Sequence, residues 1–94
     1  MALQRESAEL IAAEALAWLA GRDELFPVFM GASGITIDEM RRRAAEPEFL
    51  GAVLDFLLMD DAWITGFCDD AGLGYDRPRA ARAALPGAAA EDWT

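Results

Sequence analysis

The segment Pro47-Glu48-Phe49-Leu50-Gly51-Ala52-Val53-Leu54-Asp55-Phe56-Leu57-Leu58 carries apolar side chains around most of a helical circumference. Pro47 suits the first helical position, where its missing N–H would have had no intrahelical partner. Glu48 sits favourably beside the positive end of the helix. Phe49, Leu50, Val53, Leu54, Phe56 and Leu57 leave little polar surface, which marks this helix as the central, most buried element. Asp60 and Asp61 end it and cap a fifth helix running to about Ala71.

Working outward, Ile11, Ala15, Trp18 and Leu19 recur at i, i+4, i+7 and i+8, which predicts a first helix from about Glu6 to Ala20. Gly21 is placed to stop it. Asp23 reads as the cap of a short second helix through about Met30, with Pro27 in its first turn. Gly31 to Gly34 read as a turn. Thr36-Ile37-Asp38-Glu39 is a capping box that opens a third helix to about Ala45. After the turn Gly72-Leu73-Gly74, Asp76 is expected to cap a last helix through about Ala84, with Pro78 in its first turn and Pro86-Gly87 beyond its end.

These elements repeat. With the chain slid by 38 positions, residues 11–45 face 49–83 and Leu16/Leu54, Leu19/Leu57, Asp23/Asp61, Phe29/Phe67, Gly34/Gly72, Asp38/Asp76, Arg41/Arg79 and Ala45/Ala83 coincide. Only one of these identities is alanine, and the matches fall on caps, turns and core positions. The expectation is therefore an all-α fold: six short helices in two similar three-helix units, about 8–45 and 46–84. Any two three-helix stretches share some of this punctuation, which is the plainer account of the matches. Residues 1–85 then make a single helical domain and 86–94 an acidic flexible tail. Neither unit is large enough to hold a core alone, so the two should pack through the first and fourth helices.

Composition removes most familiar chemistry. Among 94 residues there are 17 acids and 8 basic residues, all Arg, for a net charge of −9. There is no His, so Ser–His, Cys–His and His–metal arrangements are absent. There is no Lys, so neither a Schiff-base amine nor a phosphate-binding lysine exists. The one cysteine, Cys68, supports no internal disulfide or zinc cluster and reads as a small buried apolar filler. No cofactor or metal set is legible. No signal-peptide layout opens the chain, and no apolar run reaches the ~20 residues of a membrane span. A cytoplasmic protein is the expectation.

Leu16-x-x-Leu19-Ala20, Gly34-Ile35-x-x-Asp38-x-x-Arg41, Pro47-x-Phe49-Leu50, Val53-Leu54-Asp55-Phe56-Leu57-Leu58, and Phe67 with Ala71-Gly72-Leu73 together form a recognisable pattern. On these segments the chain resembles a family of small alphaproteobacterial proteins known only as a domain of unknown function. The resemblance spans about Glu9 to Leu85. It implies a compact helical bacterial protein and lends no residue a role.

Three constellations remain. Arg41, Arg42, Arg43, Arg77, Arg79 and Arg82 lie on the third and sixth helices, each of which follows a Gly-hydrophobic turn as in a helix-turn-helix. They read either as solvated helix-end charges, with Asp38–Arg42 and Glu39–Arg43 pairs, or as nucleic-acid contacts. The acidic balance and the acids at both helix starts make nucleic acid the weaker alternative. The carboxylates Asp55, Asp60, Asp61, Asp69 and Asp70 offer no convergent catalytic set. Asp55 is the best single candidate, its plain alternative being an ion pair with an arginine. Leu10, Ala13 and Ala17 form a second apolar stripe on the first helix, while Met59 and the tail residue Trp93 are further apolar groups without an obvious core to join. The resulting expectation is a non-catalytic protein-interaction or regulatory module whose partner is an unidentified protein or a second copy of the chain.

Overall fold

The computed structural model describes residues 3–86. Six helices follow one another: α1 (Arg5–Ala20), α2 (Phe26–Ser33), α3 (Ile37–Arg43), α4 (Pro47–Leu57), α5 (Asp61–Ala71) and α6 (Arg77–Ala83). No strand occurs among the described residues, so the fold is all-α.

Several ends follow local chemistry as the sequence implies. Thr36 Oγ1 accepts from the amide of Glu39 at 3.1 Å, and the Glu39 carboxylate accepts from the amide of Thr36 at 3.1 Å. Asp60 Oδ1 accepts from the Ala62 amide at 2.8 Å, and Pro47 opens α4. Gly72 closes α5 in the left-handed region (φ 71°), where a Cβ would be strained.

Other ends differ. Asp23 does not cap α2, which begins only at Phe26 after a turn through Arg22–Leu25. The helix also passes through Gly31 to Ser33 and closes on the left-handed Gly34 (φ 69°). A mid-helix glycine costs only about 1 kcal/mol, and burial of Phe29 to 1% exposure offsets that. Gly21 ends α1 in a right-handed conformation (φ −87°), with Arg22 N–H bonded to Leu19 O at 3.0 Å. Asp76 makes no side-chain capping bond. Pro78 offers no amide at the second helical position, removing one of the two donors a cap would meet.

The long helices meet through their apolar faces. α1 packs against α4 and α6, and α4 also touches α6. Ala8, Ala12 and Ala15 of α1 are fully buried, as is Ala81 of α6, so small side chains let these backbones approach closely. Leu19, Leu54 and Leu57 are fully buried and Leu16 packs partly buried against the same cluster. Phe29 of α2 sits at the centre of the aromatic packing, edge-on to Phe49 and Phe56 at ring separations of 6.3 and 5.2 Å.

The 38-residue correspondence holds at these points and fails at others. Ile11 and Phe49, Ala15 and Val53, Leu19 and Leu57, and Phe29 and Phe67 are buried in pairs. The third members diverge. α6 buries Pro78, Ala81 and Arg82, whereas α3 buries nothing. Position 43, opposite the fully buried Ala81, is an arginine that pairs with Glu46. The packing is thus not that of two equivalent units, and a duplication is not established.

Candidate functional site

Two open depressions have linings linked by one aromatic contact. The first is an apolar groove of about 220 Å³ between α2 and α4, lined by Phe29, Ala32, Ser33, Ala52, Asp55, Phe56 and Met59. Its walls form because Phe29 and Phe56 anchor the two helices edge to face, leaving the smaller Ala32 and Ala52 between them and solvent. Met59, just past the end of α4, is 72% exposed at its rim. A flexible thioether in such a position adapts to varied apolar surfaces.

The second depression, about 800 Å³, lies where the end of α1 meets the start of α5, between Trp18, Arg22, Leu25 and Trp63 and beside Asp23 and Glu24. Trp63 stacks on Phe56 at 4.8 Å, so one aromatic pair separates the two depressions. Leu25, just before α2, lines one and Phe29, a turn later, lines the other. The Arg22 guanidinium lies 4.5 Å from the centre of the Trp18 ring. Asp70 accepts from Trp18 Nε1 at 2.7 Å and stands 3.9 Å from Arg22. These bonds explain an acid at the unfavourable C-terminal end of α5. Its neighbour Asp69 accepts from the Tyr75 hydroxyl at 2.7 Å, which holds the Tyr75 pKa above its ordinary value.

The arginines are dispersed. Arg82, read from sequence as a nucleic-acid contact, is instead withdrawn from the surface. Its Nε donates to Asp55 Oδ1 at 2.6 Å and a terminal nitrogen donates to Oδ2 at 3.1 Å. The other terminal nitrogen donates to the carbonyl of Pro86 at 3.1 Å. The Asp55–Arg82 ion pair therefore ties α6 to α4, and Arg82 also holds the chain beyond α6. Arg41 pairs with Asp38 at 3.9 Å and Arg43 with Glu46 at 3.0 Å, in place of the expected i, i+4 pairs. Glu39 is drawn back into the capping box, which removes it from Arg43. Arg42, Arg77 and Arg79 are exposed, and α3 and α6 share no extensive contact.

Leu10 (62% exposed), Ala13 and Ala17 face solvent along α1 and line neither depression. Of the apolar residues singled out from sequence, only Met59 reaches the groove. Trp93 lies outside the described residues. Cys68 is buried, with its Sγ 3.5 Å from the carbonyl of Gly74. Burial, then the nearby charges of Asp69 and Asp76, push its thiol pKa up. Among the described residues no three potential metal ligands converge, and no helix is long and apolar enough to cross a membrane.

Sequence reasoning missed the groove and the tryptophan-lined depression. The sequence singles out Met59 and Asp55 separately without indicating that they line one groove, because a depression between helices has no periodic signature.

No curated protein and no solved structure matches the chain. A family model described as a protein of unknown function, DUF3572, matches residues 5–88, and the chain belongs to that family.

Proposed function

We propose that this chain is a non-catalytic protein-interaction module. The observation that carries this reading is the apolar groove between α2 and α4, held open by packed aromatics and rimmed by Met59. Exposed apolar surface of this kind is retained at a cost in solubility, and recognition of a partner accounts for it. The non-catalytic part is supported by the engagement of Asp55, the best acid candidate, with Arg82.

Affinity capture from the native cell tests the reading, with Met59→Asp and Leu10→Glu variants in parallel. The expected result is a stoichiometric protein recovered by the unsubstituted chain and lost with Met59→Asp, while the circular dichroism of the variant is unchanged. Recovery of no stoichiometric protein, with the purified chain remaining monomeric at high concentration, overturns it.

A further inference from the structure

We infer that the occupant of the groove is an amphipathic helix with a basic end, whose apolar face seats between α2 and α4 and whose cationic side chain enters the depression beside Trp63. This inference rests on the interaction-module reading and names the chemistry of its partner.

The helical form follows from what the surface lacks and what it offers. The described residues contain no strand, so an extended peptide finds no sheet edge to pair its backbone with. A helix satisfies its own backbone and presents side chains at i, i+3, i+4 and i+7, matching a groove between two helices. The lining of Phe29, Ala32, Ala52, Phe56 and Met59 supplies apolar contact and one charged group, Asp55.

The sign of the partner follows from charge. Asp55, at the groove, is already paired with Arg82 and adds no net charge, so the sign comes from the adjoining depression. Asp23 and Glu24 line the adjoining depression, and Asp60 and Asp61 open α5 next to its lining residues Ala62 and Trp63. The one cation lining that depression, Arg22, already lies over Trp18 and beside Asp70. An incoming Arg or Lys therefore meets Trp63 and the carboxylates of Asp23 and Glu24, a combination of aromatic surface and negative charge that favours cations. A second copy of this chain, itself at −9, would bring like charge to an acidic surface. That disfavours self-association here and favours a basic partner.

The test is selection of a displayed library of helical peptides, with randomised surface and apolar positions, against the whole protein. The expected winners carry apolar residues at i, i+3 or i+4 and i+7, with Arg or Lys towards one end. Their affinity should fall about tenfold with Met59→Asp, which puts a charge where an apolar contact stood. It should fall several-fold with Asp23→Asn/Glu24→Gln, and added salt should then weaken binding less. Acidic or extended winners, no winners, or winners insensitive to both variants overturn the inference. Winners lost only with Leu10→Glu place binding on α1 instead, overturning this inference while the interaction-module reading stands. The reading itself fails only with the capture experiment above.

Discussion

Asp55 and Arg82 are 27 positions apart, and each explains the other. Arg82 is buried on α6, where an unpaired guanidinium would be costly, while Asp55 is half exposed at the groove. Asp55→Ala keeps the arginine in place and removes its carboxylate. The expected loss is about 1.5–3 kcal/mol in urea unfolding, the usual range for charged hydrogen bonds. Pairing it with Arg82→Met should recover much of that loss, because an apolar side chain of similar length no longer needs a partner. Gly51 is tied to the same pair. A Cβ there would stand 3.1 Å from a terminal nitrogen of Arg82 and 3.3 Å from the Pro86 carbonyl oxygen, so a larger residue requires these groups to shift by a few tenths of an ångström.

At the scale of elements, the termini set which helices persist. α3 has no fully buried residue, only Met40 packing partly buried against the core, so its start leans on the Thr36–Glu39 box. Bonds from the amide of Thr36, and then from its hydroxyl, hold the Glu39 pKa below the ordinary 4.5. The folded state thus favours the ionised form. Its contribution is complete above the ordinary carboxylate value and is lost as pH falls through the lowered one. Glu39→Gln removes that titration, so the variant should lose less stability than the parent chain between neutral pH and pH about 3. Chemical unfolding of both proteins at each pH measures the difference.

For the whole molecule, the aromatic centre matters most. Phe29 joins α2 to α4 through Phe49 and Phe56, and Phe56 continues the contact to Trp63 of α5. Phe29→Ala is expected to cost about 3–5 kcal/mol. It should also collapse the groove that Phe29 lines, so peptide binding and stability fall together. Met59→Asp, at an exposed rim, should leave the unfolding midpoint almost unchanged while weakening binding about tenfold. The contrast separates what supports the surface from what touches a partner.

The chain's own pattern determined that it is helical and where most helices start. The Thr36 box, the Asp60 cap, Pro47 and the apolar run from Phe49 to Leu57 are local signals, each acting within a turn or two. It also determined which chemistry is missing, since absent residue types need no coordinates. Only tertiary packing decided that α6 rather than α3 joins the core, that Arg82 is buried, and that α2 and α4 leave a groove between them. Those outcomes depend on side chains distant in sequence meeting in space, and helical periodicity records which face is apolar without recording what that face will meet.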